Sequence, residues 1–157
     1  MTVPDFHIRR VQTEEDWETV VQIRTTVFIK EQGCPPEEEW DEYDATDRRF
    51  SSCRHFLGLW NDKAVTTARW HEAEYAGKPA AKLERFAVLS EARGNGLGKA
   101  MIEHVMNDAR QAGCAVLILH AQTYLEKLYT ELGFQPIGDV FEEAGIPHVK
   151  MISTQEP

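Results

Sequence analysis

Arg93-Gly94-Asn95-Gly96-Leu97-Gly98-Lys99 decides the reading of this 157-residue chain, because of what stands on either side of it. Ahead of it, Leu83-Glu84-Arg85-Phe86-Ala87-Val88-Leu89 reads as a strand. Behind it, Met101, Ile102, Val105, Met106 and Ala109 recur at helical spacing. A strand, a glycine-rich turn and a helix N-terminus make a receptacle for phosphate. The glycines let the backbone curl so that consecutive N–H groups converge, and the helix dipole adds partial positive charge there.

Two nucleotide-binding patterns fit poorly. Lys99 is followed by Ala100, so the hydroxyl that a P-loop offers to magnesium is missing. A Rossmann fingerprint needs G-x-G-x-x-G, and the third glycine, Gly98, comes one position early. The acid expected about 20 residues on is also missing; Gly113 and Cys114 occupy that neighbourhood.

Arg93-x-x-Gly96-x-Gly98 instead resembles the acyl-CoA pyrophosphate loop of the GNAT acetyltransferase superfamily. Downstream, Gln122-x-x-Leu125-x-x-x-Tyr129-x-x-x-Gly133-Phe134 is similar to the family's N-x-x-A-x-x-x-Y-x-x-x-G-F segment. Gln122 stands where asparagine is usual, and Leu125 where alanine is. Val27-Phe28-Ile29-x-Glu31-Gln32 and Glu142-Glu143-x-Gly145-Ile146-Pro147-His148 are similar to the ElaA-like branch. The resemblance runs along essentially the whole chain. It implies an α/β fold of GNAT type, with a mixed, mostly antiparallel central sheet flanked by helices, and acetyl-CoA as cosubstrate.

The length suits one domain over residues 1–157 with a single buried core. No apolar run approaches the ~20 residues that cross a bilayer. Met1-Thr2-Val3-Pro4-Asp5 lacks the basic patch and apolar stretch of a secretory signal. Cys34, Cys53 and Cys114 are odd in number and show no C-x-x-C spacing, which suits reduced thiols and argues against a zinc site. The expectation is a cytoplasmic protein with no metal and no membrane partner. A net charge of −9 argues against a nucleic-acid partner and favours a cationic acceptor. Local amides with Arg93 and Lys99 still suffice to hold an anionic CoA.

Along the chain, Phe6 to Val11 reads as a first strand and Thr13 as the N-cap of a helix reaching about Lys30, ended by Gly33 and Pro35-Pro36. Seven acids follow between Glu37 and Asp47, read either as a solvated acidic segment or as a wall of the acceptor pocket. His55–Trp60 and Ala64–Trp70 form a hairpin around Asn61-Asp62-Lys63. A longer connection through Gly77 and Pro79 leads to a strand over Ala81–Leu89. After the loop come a helix to about Ala112, a strand starting at Val116, a short helix over Tyr124–Leu132, and a closing hairpin around Gly145-Ile146-Pro147.

Acetyl transfer to an amine needs four provisions. The loop amides hold the pyrophosphate. The pantetheine arm pairs with an exposed strand edge; family resemblance points to Phe86, Ala87 and Val88, with splaying from the strand at Val116 admitting the arm. A backbone N–H near Phe86 stabilises charge on the acetyl oxygen, worth about 3 kcal/mol. Finally, protons must move. Carried over from the family motif, Tyr129 is the acid for the leaving thiolate, and Gln122 is a cofactor contact. Two residues compete for the base, and each also has an ordinary structural reading. Glu84 shares strand parity with Phe86 and Val88, and His148 offers an imidazole, the side chain most used as a general base. His55, His71, His104 and His120 belong to no constellation visible in the sequence. Cys114 lacks an activating partner. The acceptor is then an amine of a small molecule or peptide, and a homodimer through exposed strands is implied by the resemblance alone. A non-catalytic acyl-CoA-binding module on the same fold is the alternative, because Gln122 departs from the motif.

Overall fold

The computed structural model describes residues 3–154. Strand β1 is Phe6–Arg10. Thr13 accepts a hydrogen bond from the Asp16 amide at 3.1 Å and opens helix α1, Glu14–Arg24. The helix continues to Glu31, but Thr25–Glu31 winds as a π turn, with Gln32 N donating to Val27 O. Such widened turns are frequent at functional sites. Helix α2 is the single turn Pro36–Glu39, followed by a 3₁₀ turn at Glu42–Asp44.

Strands β2 (Arg54–Trp60), β3 (Lys63–Tyr75) and β4 (Lys78–Val88) form a meander. Both turns have positive φ at their two central residues, Asn61-Asp62 and Ala76-Gly77, which matches the twist of a tight hairpin. The second turn corrects the expected longer connection: Pro79 lies within β4. Helix α3 (Leu97–Gln111), β5 (Val116–Gln122), α4 (Glu126–Glu131), β6 (Gln135–Glu143) and β7 (Ile146–Thr154) complete the chain. The last hairpin turns at Ala144-Gly145, so Ile146 and Pro147 belong to β7. In both corrections Ala-Gly makes the turn, a weaker signal than the glycine–proline neighbourhoods beside it.

The seven strands run β1-β2-β3-β4-β5-β7-β6, and β4–β5 is the one parallel pair among them. Both faces are covered, which explains continuous apolar runs such as Phe56–Leu59. Leu57, Leu59 and Ala87 pack with Trp17, Val20 and Ile23 of α1. Phe56, Trp70 and Leu83 pack on the other face with Met101, Val105 and Met106 of α3. Gly58 is required where sheet and core crowd together, since a Cβ there would lie 2.4 Å from Thr66 Cγ2.

One irregularity sets up the site. Arg69 pairs with Glu84 and Thr67 with Ala87, so Arg85 and Phe86 together oppose Ala68. Arg85 takes φ +60° to make this bulge. The bulge reverses the expected parity. Glu84 faces Arg69 on the α1–α2 side, whereas Phe86 packs in the α3-side cluster.

Candidate active site

Strands β4 and β5 pair only through Ala80–Val116, Ala81–Leu117 and Lys82–Ile118. Beyond Lys82 they part, as the splaying expectation required. The gap opens a cavity of about 380 Å³, lined by Glu84, Arg85 and Phe86 of β4, by Leu119, His120 and Gln122 of β5, and by Tyr129. Leu89 donates to Val65 O at 2.8 Å, so strand alternation turns the N–H and C=O of Val88 and Phe86 towards the gap. A polar main-chain edge thus faces an open slot.

The glycine-rich loop lies at one end of this edge. Gly94 and Gly96 have φ of +81° and +79°, and Gly96 caps α3. The amides of Leu97, Gly98 and Lys99 are the first of the helix and have no intrahelical acceptor. Asn95 Nδ2 donates to the carbonyls of Ala92 and Arg93, both at 3.1 Å, and holds the turn. Arg93 turns back onto β4. Its Nε donates to Val88 O at 2.9 Å and its Nη2 pairs with Glu31, so its side chain closes the end of the slot. What the turn presents at the start of α3 is main-chain N–H groups.

Tyr129 is almost fully buried and lines the cavity. Burial, helped by Tyr124, pushes its phenol above the ordinary range, and no described residue hydrogen-bonds its hydroxyl. Gly133 at φ +99° ends α4 and lets Phe134 N reach Tyr129 O at 3.0 Å, with the two rings edge to face. Gln122 donates to Gln32 Oε1 at 3.3 Å. Glu31 and Gln32, at the end of the π turn, thus touch Arg93 and Gln122 respectively.

Of the seven acids, Glu37, Glu38, Asp41, Glu42 and Asp47 are exposed, Glu38, Glu39 and Asp41 line the cavity, and Glu39 and Asp44 are buried on arginines. Arg24 is fully buried and binds Glu39 at 2.7 Å and Asp44 at 2.6 Å. Arg69, also fully buried, binds Asp41, Asp44 and Glu84 at 2.5, 3.0 and 2.6 Å. Arg85 reaches Glu39 O at 3.0 Å and so ties the β4 bulge to α2. Burial alone would raise the Glu84 carboxyl. The contact with His71 and the charges of Arg69 and Arg85 outweigh it and hold the group well below the usual carboxylate range. Glu84 lines the cavity, but its oxygens serve the arginines.

The opposite wall holds a group that the sequence did not reveal. His120 Nδ1 lies 3.0 Å from Glu143 Oε1, and Glu143 Oε2 is 3.7 Å from His148 Nε2. His148 Nδ1 donates to Ile146 O at 2.7 Å. All three residues line the cavity. His120 and Glu143 lie 23 positions apart and meet because β7 sits between β5 and β6. The one local signal was parity, since His120 shares a strand face with Gln122.

Residues 25–154 match the acetyltransferase (GNAT) domain family. The chain belongs to the GNAT acetyltransferase family. The Bacillus subtilis protein named "Uncharacterized N-acetyltransferase YjcF" is 32% identical over 142 residues, covering 90% of this chain and 94% of its own. Protein ElaA of Escherichia coli is 31% identical over 133 residues, covering 84% and 83%. The crystal structure of Escherichia coli ElaA superposes with a TM-score of 0.81 at 26% identity, over 94% of this chain and 99% of that one. An acyl-CoA N-acyltransferase from Pseudomonas aeruginosa gives 0.80 at 25% identity, over 96% and 99%. This GNAT acetyltransferase is thus ElaA-like in sequence and in fold. Among its described residues no helix is long and apolar enough to cross a membrane.

Proposed function

We propose that this acetyltransferase moves an acetyl group from acetyl-CoA directly to the neutral amine of a small molecule or peptide. The observation that carries the reading is the slot between β4 and β5. It joins a cradle of backbone amides at Gly94–Lys99 to a cavity holding a buried phenol and two histidines. The residues suit acetyl-CoA. Leu97, Gly98 and Lys99 amides would hold its pyrophosphate, the outward groups of Phe86 and Val88 its pantetheine amides, and Arg93 would have to leave Val88 O as the arm enters. The bulge at Arg85 fixes the backbone N–H groups beside Phe86, available to the acyl oxygen as negative charge grows there.

Tyr129 is the proton donor to the leaving sulfur. Its burial keeps the hydroxyl protonated, as a donor must be. Glu84 organises the bulge through Arg69. The acceptor enters beside Glu38 and Asp41, which favours a cationic amine that loses its proton on binding. A cytoplasmic location belongs to the same reading, and three unpaired cysteines support it. The test is thiol release from acetyl-CoA across a panel of primary amines, with mass spectrometry of the products. Amine-dependent thiol release and an acetylated amine are expected; tight CoA binding without transfer would overturn the catalytic reading.

A further inference from the structure

We propose that His120 is the proton acceptor for the attacking amine and that Glu143 is its positioning residue. This rests on the acetyl-transfer reading above. His120 stands two residues beyond Ile118, where β5 has just left β4, and its ring faces the cavity. A carboxylate oxygen accepts, so the 3.0 Å contact to Glu143 places the hydrogen on Nδ1 and leaves the lone pair on Nε2. Among the described residues Nε2 has no hydrogen-bond partner. The edge-to-face contact with Phe141, centroids 5.0 Å apart, further fixes the ring plane. The His120 hydrogen bond, against the opposing effect of burial, holds the Glu143 carboxyl below its ordinary range, so it remains an acceptor. An imidazole oriented by a carboxylate through one nitrogen, with the other aimed at substrate, is the arrangement that general-base catalysis uses.

The two other candidates are engaged differently. Glu84 is committed to Arg69 and Arg85. His148 spends Nδ1 on Ile146 O, and its Nε2 stands too far from Glu143 to be oriented by it. The charged and titratable groups around His120 are Glu143 on β6, His148 and Lys150 on β7, Lys82, Glu84 and Arg85 on β4, Tyr124 and Tyr129 after β5, and Cys34, Glu38, Glu39 and Asp41 across the cavity. In the reaction the amine nitrogen bonds to the acyl carbon and its proton passes to His120 Nε2. The C–S bond breaks, its electron pair stays on sulfur, and the Tyr129 hydroxyl proton goes there. Exchange with water restores both residues.

The experiment pairs His120→Gln and Glu143→Gln with acetyl-CoA and the primary-amine panel. In His120→Gln, kcat should fall about 10²-fold or more and the acid limb of kcat/KM should vanish, with acetyl-CoA affinity unchanged by calorimetry. Glu143→Gln should give a smaller loss, in kcat rather than KM. Long-range ¹⁵N spectra should show His120 as the Nδ1–H tautomer in the parent protein and a mixture in Glu143→Gln. A His120→Gln enzyme that keeps kcat and its acid limb overturns the proposal alone. So does an acid limb that follows His148→Gln, or an Nε2–H tautomer at His120. A parent protein that binds acetyl-CoA and acetylates no amine overturns the underlying reading and this proposal with it.

Discussion

Arg69 Nη2 and Glu84 Oε1 meet at 2.6 Å across β3 and β4, with Arg69 sealed from solvent and Glu84 nearly so. The pair lies one residue from the bulge and connects it to Asp41 and Asp44. Glu84 is one of three acids on the sealed Arg69; neutralising it removes a charge-assisted hydrogen bond and leaves Arg69 with Asp41 and Asp44, a loss of about 2 kcal/mol. Glu84→Gln should therefore lower the urea midpoint sharply and cut activity in parallel with folded fraction. A stable Glu84→Gln protein with a selective loss of kcat and of the acid limb would instead make Glu84 a catalytic base.

What could be read in advance was local. The glycine loop, the cap at Thr13, the Asn61-Asp62 turn and the Gly133-Phe134 helix end each announce themselves within a few residues. The strand parity of Glu84 failed because the bulge depends on distant partners: Arg85 is held by Glu39, 46 positions away. Two of the seven acids, Glu39 and Asp44, could not be placed for a similar reason. Arg24 and Arg69 sit at positions that otherwise read as core, and only the packed chain brings Glu39 and Asp44 onto them. His120 showed only its parity with Gln122 until β6 supplied Glu143.

The loop carries its own prediction. Gly96 has φ +79° and space around it; an added Cβ would come no nearer than 3.9 Å to Val3. A β-branched residue is strained at that φ whatever the space. Gly96→Val should reshape the turn, lower acetyl-CoA affinity by more than about tenfold in calorimetry, and leave the α3 core packed. Retained affinity would remove the loop from the cofactor site.

Stability should fall with pH through His55. It is buried against Trp17, with Nε2 donating to Tyr43 O at 3.2 Å and Nδ1 without a partner among the described residues. Burial, then the charge of Arg24, pushes its pKa down to about 4. The unfolded chain protonates near 6.5, so between these values the unfolded state binds more protons and stability falls with falling pH. The contribution is complete above about pH 6.5 and gone below about 4, with a loss of about 2 kcal/mol from pH 7 to pH 5. Glu84 and Asp44, both lowered, lose their contributions from the ordinary carboxylate values of about 4 downward, so they act largely below the pH 5 to 7 span in which His55 changes. Urea titrations of His55→Gln should show a flatter profile over pH 5 to 7 than the parent. Parallel profiles would assign the sensitivity elsewhere.

Tyr129→Phe isolates the proton donor. It removes one hydroxyl and keeps the ring that packs edge to face on Phe134 at 5.9 Å. Since no described residue hydrogen-bonds that hydroxyl, its loss orphans no buried partner, and the thermal midpoint should stay close to the parent value. Acetyl-CoA affinity should change little, because the amide cradle lies elsewhere. The rate of the chemical step should fall about 10²- to 10⁴-fold, the span of a lost general acid. The pH profile sharpens the test. Burial raises the phenol above its ordinary range, so an alkaline limb at lower pH belongs to another group and should persist in Tyr129→Phe. The acid limb should persist too, which separates this variant from His120→Gln. If Tyr129→Phe keeps its rate in single-turnover measurements, the ring is there to pack, and water protonates the sulfur.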